Sequence, residues 1–245
     1  MKGQLRVISI KKFLLPILLV TCYSLLVTTA NAGIRSKAAI VMDSSTGRIL
    51  YGKNPNLKLP PASITKLMTA MVALDRLKLG DTVSISERAA SVSPTKANLR
   101  AGEKVTVETL LHAALIKSAN DAAFALAEAV ADSEERFVEV MNQKAIAIGI
   151  SDTRFINSTG LPGEGQHTTA YDIARMMRHS LRYPLIKEII NTKAIRISTE
   201  DGRTIFLKNS NRLLWSDESV LGGKTGYTRE AKHCFVCAIE QNNDM

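Results

Sequence analysis

The residues with the clearest chemical potential are Ser63 and Lys66, which lie three positions apart just after Pro60-Pro61. Apolar residues recur after them at three- and four-residue steps, which predicts a helix that begins at this point. On a helix, residues three apart face the same side, one turn from each other. A hydroxyl beside an amine at a helix N-terminus, where backbone N–H groups lack partners, is typical of an activated serine nucleophile. A capping serine followed by a surface lysine would give the same spacing.

Two later stretches carry complementary groups. Ser118-Ala119-Asn120 offers a second hydroxyl and a carboxamide at an expected break between helices. Lys224-Thr225-Gly226 offers an ammonium, a hydroxyl and a residue without a side chain on an expected strand. Roughly one Ser-x-Asn arises by chance in a chain of this length, but only about a few hundredths of a Lys-Thr-Gly triplet. The three stretches in this order, each at the boundary of an element, are therefore much stronger evidence than any one alone.

Strand patterns stand at both ends of the chain. Residues 38–42 and 48–51 predict a hairpin before the serine helix, and Gly80 is expected to end that helix. Strand patterns return after residue 192, and the last of them covers residues 233–240. Strands from both ends with helices between them predict an α+β fold, with one antiparallel sheet assembled from distant segments.

The middle of the chain, about residues 82–192, is predicted to be a helical insert. Its first part, 82–104, is polar and irregular, with only a short strand pattern. Three polar residues each precede a stretch with the apolar periodicity of a helix, and we expect them to cap those helices: Thr106, Ser133 and Thr169.

The first 32 residues are typical of an export signal. A basic segment that ends at Lys12 precedes an apolar run over 13–29, and Ala30-Asn31-Ala32 has small residues where a signal peptidase cleaves. An uncleaved membrane anchor is the alternative, although the run is short for a span. We therefore expect a signal peptide over 1–32 and an exported catalytic domain over 33–245, in the periplasm or at the outer face of the cytoplasmic membrane.

Composition and cysteine spacing argue against several other classes. The net charge of +9 includes four basic residues within 1–32, which hold no acid, so the remainder carries +5 and is only mildly basic. Basic residues are scattered, and aromatic residues are few. We therefore predict no nucleic-acid partner. Cys234 and Cys237 lie on an expected strand and point to opposite faces, so we expect two small buried residues and no disulfide between them. Because the sequence has no other cluster of cysteine or histidine, we predict neither a metal site nor a cofactor.

Longer strings around the reactive groups point to one family. They are Pro61–Thr69, Leu115–Ala123, Asn157–Leu161 and Lys224–Thr228. With its Ser-x-x-Lys, Ser-x-Asn and Lys-Thr-Gly motifs, the sequence resembles the D-alanyl-D-alanine carboxypeptidases among the low-molecular-mass penicillin-binding proteins. The resemblance implies a three-layer α+β fold of the β-lactamase/transpeptidase type. It also implies peptidoglycan stem peptides as substrates, from which the terminal D-alanine is removed through an acyl-enzyme, and β-lactams as covalent inhibitors.

Chemistry and the resemblance together suggest a role for each motif residue. Ser63 would be the acyl-ester nucleophile, and Lys66 would be its general base. An ammonium has no lone pair, so Lys66 must be neutral, and both burial and the charge of Lys224 would lower its pKa. Ser118 would relay the proton to the departing D-alanine nitrogen. Asn120 would hold Lys66 and the substrate amide.

The third motif would bind substrate. Lys224 and Thr225 would meet the terminal carboxylate of the peptide, and Gly226 would let the peptide main chain lie against the strand edge. The oxyanion hole would consist of the N–H of Ser63 and an N–H near Tyr227.

Two further binding candidates come from the resemblance. His167 matches a loop that this family places beside its site, although an ordinary loop before a helix is the alternative. In the best-known members an arginine precedes the Leu-Leu-Trp run. Here Ser210 takes its place, and Arg212 is displaced by two residues, or about 7 Å on a strand.

The family pattern also extends past residue 245. Its members continue through another strand and a helix, and many add a β-rich domain and an amphipathic membrane anchor. We therefore expect the last strand and the C-terminal helix of the catalytic domain to be missing from this sequence. Contact with a membrane surface would depend on an anchor that these residues do not include.

Three alternative functions remain open. A D-alanyl endopeptidase of the same family would cut cross-links instead of releasing D-alanine. A β-lactamase would need a general base for fast deacylation, and Glu164 lacks the Glu-x-x-x-Asn setting usual for it. A non-catalytic peptidoglycan-binding module would keep the motif residues only as relics.

Overall fold

The computed structural model describes residues 34–240. The strands are β1 Ala39–Met42, β2 Ile49–Lys53, β3 Thr82–Ser84, β4 Lys104–Thr106, β5 Ala194–Ser198, β6 Thr204–Lys208, β7 Val220–Thr228 and β8 Lys232–Ile239. The helices are α1 Lys66–Arg76, α2 Glu87–Ser91, α3 Val107–Ile116, α4 Asn120–Ala131, α5 Glu134–Ala147, α6 Ala170–Ser180, α7 Pro184–Asn191 and α8 Leu213–Ser216. The expected signal peptide, 1–32, lies outside the described residues.

The strands pair as antiparallel neighbours in sequence: β1 with β2, β3 with β4, β5 with β6, and β7 with β8. This mixture of helices and antiparallel strands agrees with the predicted α+β class. The prediction of one sheet is not met within residues 34–240, because the strands of the two chain ends form separate hairpins there. Helix α6 packs against both β1 and β8. Each two-stranded hairpin pairs only the inward-facing backbone groups of its strands, and α6 packs against one strand of each of these two hairpins.

Helix α1 is the centre of the core. Its residues from Lys66 to Ala73 are all buried, and helices α3, α4, α5 and α6 pack around it. The polar head of Lys66 is therefore enclosed by protein and must find its hydrogen-bond partners there. The predicted end of the helix at Gly80 is wrong: the helix ends at Arg76, because Leu77 leaves the helical conformation with φ −121° and ψ 153°.

The predicted caps are confirmed: the side chains of Thr106, Ser133 and Thr169 each accept a hydrogen bond from a backbone N–H three residues on. The segment 82–192 is not wholly helical, however, since β3 and β4 pair within it. Strand β3 lies in the part that has the short strand pattern, whereas the three residues of β4 are too few to give a clear alternating pattern. Helix α2, which Ser86 caps, was also not predicted.

None of the helices within residues 34–240 is both long enough and apolar enough to cross a bilayer.

Candidate active site

Ser63 lies on a short 3₁₀ turn, Ala62–Thr65, that leads directly into α1. Ala62 has a φ of +47°, which is rare for a residue with a side chain. Strained backbone of this kind persists only where the surroundings hold it, and it is common at functional sites. Strand β7 provides part of that support, because a Cβ at Gly226 would lie 2.8 Å from the Ser63 nitrogen. The Ser63 nitrogen therefore lies close to the backbone of β7.

The amine of Lys66 is the centre of the site. Its Nζ lies 3.1 Å from Ser63 Oγ, 2.7 Å from Asn120 Oδ1 and 2.7 Å from the Thr159 carbonyl oxygen. A neutral amine has two N–H groups and one lone pair. Asn120 and Thr159 can accept the two N–H groups, which leaves the lone pair for the hydroxyl of Ser63. The arrangement can therefore take a proton from Ser63 when Lys66 is uncharged.

The surroundings of Lys66 favour that uncharged form. The pKa of Lys66 is held well below its ordinary value, first by burial and then by the positive charge of Lys224. The buried carboxylate of Asp121 opposes this shift. Because the lowering effects dominate, the amine can serve as a base without first giving up a proton to solvent.

Lys224 and Ser118 form the second contact of the site. Lys224 on β7 is buried, and its Nζ lies 2.8 Å from Ser118 Oγ and 2.8 Å from the Thr225 carbonyl oxygen. Burial lowers the pKa of Lys224 to about 7. Ser118 has a φ of +64° and lies in the break between helices α3 and α4, as the sequence predicted. This contact brings the second and third motifs together from distant parts of the chain.

Asn120 is the first residue of α4, and two contacts with backbone carbonyls hold it in place. Its backbone N–H donates to the Thr95 carbonyl at 2.7 Å, and its Nδ2 lies 3.5 Å from the Ser93 carbonyl. The side-chain amide is thereby oriented with Oδ1 towards Lys66. The carboxylate of Asp121 accepts backbone N–H groups of Ala97 and Leu99, which fixes the same loop against α4.

Thr225 and Gly226 stand at the open side of the site. The hydroxyls of Thr225 and Ser210 lie 2.6 Å apart. A cavity of about 290 Å³ adjoins them, and Arg212 and Phe235 also line it. A peptide terminus could therefore approach this edge of β7 without moving the core.

Arg212 does not lie on a strand, and the expected strand geometry around it is wrong. It is the residue immediately before the short helix α8, with φ −68° and ψ −25°. The Asn209 and Asn211 side chains each accept a backbone N–H two residues on, which favours turns over a strand. The 7 Å displacement expected along a strand does not apply to a turn, although Arg212 still lines the cavity beside Thr225.

His167 lies on the loop before α6. Its backbone pairs with Arg154, and its Nδ1 lies 2.8 Å from the Gly165 carbonyl oxygen. The next residue, Thr168, pairs with Leu59, which places the loop beside the chain that leads to Ser63. These contacts orient His167 locally, and its part in substrate binding stays a prediction.

The sequence did not single out Thr159 as a site residue. Its carbonyl oxygen reaches Lys66 because the Asn157 side chain accepts N–H groups of Thr159 and Gly160 and closes a tight turn. Gly160 has a φ of +82°, and a Cβ there would lie 1.9 Å from the Ala62 carbonyl oxygen. Asparagine at the first position and glycine at the fourth are typical of a β-turn. This turn pattern and the family string Asn157–Leu161 were the clues in the sequence.

Cys234 and Cys237 are free and half-buried on β8, which is less burial than expected. Within residues 34–240, no group of His, Cys, Asp and Glu side chains is arranged to hold a metal ion.

Comparison with known proteins agrees with this geometry. A family model described as D-alanyl-D-alanine carboxypeptidase matches residues 26–245. The D-alanyl-D-alanine carboxypeptidase DacF of Bacillus subtilis is 40% identical over 220 residues, which cover 88% of this chain and 57% of that protein. A D-alanyl-D-alanine endopeptidase of Pseudomonas aeruginosa is 36% identical over 208 residues, which cover 82% of this chain and 66% of that protein. The chain therefore spans less than two thirds of the length of these two relatives.

Solved structures extend the likeness to the fold. A mutant DD-transpeptidase from Streptomyces aligns with a TM-score of 0.83 at 30% identity, covering 86% of this chain and 87% of that one. The D-alanyl-D-alanine carboxypeptidase DacD from Francisella tularensis aligns with a TM-score of 0.81 at 30% identity, covering 87% of this chain and 64% of that one. The predicted fold class and the sequence resemblance are both confirmed. The chain belongs to the D-alanyl-D-alanine carboxypeptidase family.

Proposed function

We propose that this chain carries the catalytic domain, over residues 33–245, of an exported serine-type D-Ala-D-Ala carboxypeptidase. It removes the terminal D-alanine of peptidoglycan stem peptides and is covalently inhibited by penicillins. The observation that carries the proposal is the Lys66 amine, which has acceptors for two N–H groups and lies 3.1 Å from Ser63 Oγ. Membership of the family supports the choice of substrate.

Acylation begins when Ser63 Oγ attacks the carbonyl carbon between the two D-alanines. The serine proton passes to the lone pair of Lys66 as the new C–O bond forms. The resulting oxyanion accepts the N–H of Ser63 and an N–H near Tyr227 on β7. The close approach of β7 to the Ser63 nitrogen at Gly226 supports this pairing of donors.

Collapse of the tetrahedral intermediate breaks the C–N bond and releases D-alanine. The proton held by Lys66 is returned to the departing nitrogen through Ser118, which is oriented by its contact with Lys224. Water then hydrolyses the ester and restores Ser63. Lys224 and Thr225 hold the terminal carboxylate of the substrate, and Asn120 holds its amide. Arg212 and His167 remain candidates for further contacts at the rim of the site.

Export and location belong to the same proposal. Residues 1–32 would direct the chain across the cytoplasmic membrane and be removed, which places the enzyme in the periplasm or at the outer face of that membrane. The substrate is found there, and a basic surface would favour an anionic envelope.

Two alternatives are separable by products. A D-alanyl endopeptidase is favoured by the relative of that name in Pseudomonas aeruginosa, at 36% identity. Release of free D-alanine from a pentapeptide supports the carboxypeptidase, whereas cleavage of cross-linked dimers without free D-alanine supports the endopeptidase. Rapid turnover of penicillin would instead indicate a β-lactamase.

The first experiment is detection of a penicillin adduct by intact-mass spectrometry. We expect one adduct per chain, lost in Ser63→Ala. A folded protein that forms no adduct would contradict a catalytic role and support a binding module that keeps its motif residues as relics.

A further inference from the structure

The Thr159 carbonyl that orients Lys66 belongs to a turn over residues 157–160. Within the turn, Asn157 Oδ1 accepts the N–H of Thr159 at 3.2 Å and that of Gly160 at 2.7 Å. These bonds define the shape of the turn but do not fix its position relative to Lys66. That position has to come from contacts with the rest of the protein.

Ser158 supplies those contacts. It is fully buried, and Glu134 Oε1 accepts both its backbone N–H at 2.8 Å and its hydroxyl at 2.5 Å. The hydroxyl of Thr69 donates to the Ser158 carbonyl at 2.6 Å. Thr69 lies one turn after Lys66 on α1, so successive carbonyls of the turn bond to neighbouring side chains of that helix. Glu134, the first residue of α5, holds the turn from the other side.

Packing leaves this turn room to move on one side. A cavity of about 210 Å³ lies next to it, lined by Glu134, Asn157, Thr159 and Leu161 together with Phe124. The carboxylate therefore shares its cavity with the turn that it binds. Without these hydrogen bonds, the turn could shift into that space and carry the Thr159 carbonyl away from Lys66.

We propose that Glu134 is a positioning residue for the Lys66 amine, acting through Ser158 and the Thr159 carbonyl. The inference rests on the proposed function, in which Lys66 is the base for Ser63. An ordinary explanation for Glu134 is a carboxylate in the first turn of a helix, where it interacts with the helix dipole. Glu135 has that same placement, but its ion-pair partner is Arg88 on the surface, at 3.6 Å.

This pair of neighbouring glutamates provides a matched control. Glu134→Ala and Glu135→Ala each remove one carboxylate from the first turn of α5, but only the first variant frees Ser158. Glu134→Gln keeps an oxygen that can accept both bonds while it removes the charge. The readouts are the first-order acylation rate constant at saturating penicillin, the dissociation constant of the non-covalent complex, and hydrogen exchange at Ser158 and Thr159.

We expect Glu134→Ala to lower the acylation rate constant by about 10- to 100-fold, as small displacements of catalytic groups do. The dissociation constant should change by less than about threefold, because Glu134 bonds to Ser158 and is not among the residues proposed to bind the ligand. Amide exchange at Ser158 and Thr159 should become faster. Glu134→Gln should stay within about threefold of the parent, and Glu135→Ala should match it.

Two results would overturn the inference: an acylation rate constant for Glu134→Ala close to that of Glu135→Ala, or an equal loss in Glu134→Gln and Glu134→Ala. If Glu134→Ala does not fold, Glu134→Ser also removes the carboxylate that accepts both bonds and keeps a residue suited to the first turn of a helix, and an unchanged rate constant there would have the same meaning. A parent protein that forms no Ser63-dependent adduct would instead overturn the proposed function. Hydrogen exchange would still report whether Glu134 holds the turn.

Discussion

The two sides of the site are held in different ways. On the helical side, Lys66 and Asn120 are buried, and the Lys66 amine has a partner in every direction that a neutral amine can use. On the strand side, β7 is paired with β8, and Thr225 opens onto a cavity of about 290 Å³. The difference shows that the groups proposed to move protons are already held in place without a bound substrate. The groups proposed to recognise the peptide terminus remain accessible.

The most direct way to break this comparison is Lys66→Met, which keeps the apolar stem and removes the amine. We expect the acylation rate of Ser63 by penicillin to fall by roughly 10²- to 10⁴-fold, since general-base assistance is lost. Time-resolved intact mass per folded molecule measures it. Lys144→Met is the control, because Lys144 pairs with Asp75 away from the motif residues. A rate for Lys66→Met within about tenfold of the control would show that another group is the base.

Gly160→Ala tests how far the helical side depends on close backbone packing. The added Cβ would lie 1.9 Å from the Ala62 carbonyl oxygen, at a φ of +82°. Gly202 has nearly the same φ, +83°, with open space around its Cβ position, so Gly202→Ala isolates the cost of the backbone conformation. That cost is about 1 to 2 kcal/mol.

We expect Gly160→Ala to lower the free energy of unfolding by at least about 2 kcal/mol more than Gly202→Ala, in the range of severe core changes. It should also slow acylation, because the Ala62–Ser63 backbone must move. Chemical denaturation and penicillin labelling measure the two effects. Equal losses of stability in the two variants would show that the 157–160 turn adapts freely.

Some parts of the site could be predicted from sequence spacing, and others could not. Ser63 and Lys66 could be paired from spacing alone, because helical geometry determines which residues share a face. The contact between Ser118 and Lys224 joins residues 106 apart in sequence. It could be expected only because three motifs resembled one family.

The Thr159 carbonyl shows where sequence reasoning stops. Any residue type supplies a backbone oxygen, so the identity of Thr159 carries no information about this role. The setting of Arg212 was missed for another reason: the apolar residues that follow it fit a short strand or a short helix equally well. The Asn209 and Asn211 side-chain oxygens accept backbone N–H groups, and the turn that results favours the helix over the strand.

The pH dependence of the free energy of unfolding tests whether the buried lysines are neutral in the folded protein. Lys224 has a pKa of about 7 in the folded protein and an ordinary value near 10.5 when exposed. Between these values the unfolded chain binds more protons, so the free energy of unfolding should rise with pH from about 7 towards about 10.5. The lowered pKa of Lys66 acts in the same direction.

Lys224→Met should therefore flatten the rise. Denaturant titrations at pH 7 and pH 9 measure the difference. If Lys224→Met has the same pH slope as the parent, Lys224 stays charged in the folded protein. The strand side would then carry a permanent positive charge, in contrast with the neutral amine on the helical side.

The smallest effects are expected at the rim of the strand side. Arg212→Ala should change KM for a pentapeptide by less than about twofold, because its exposed side chain starts from a turn, although it lines the same cavity as Thr225. Ser210→Ala removes a hydroxyl 2.6 Å from that of Thr225. It should raise KM by about two- to fivefold, the range of one neutral hydrogen bond. A rise above about tenfold in Arg212→Ala would indicate a charged contact with the substrate carboxylate. The guanidinium would then complete the carboxylate site across the cavity, and the strand side would be closed by Arg212 when substrate binds.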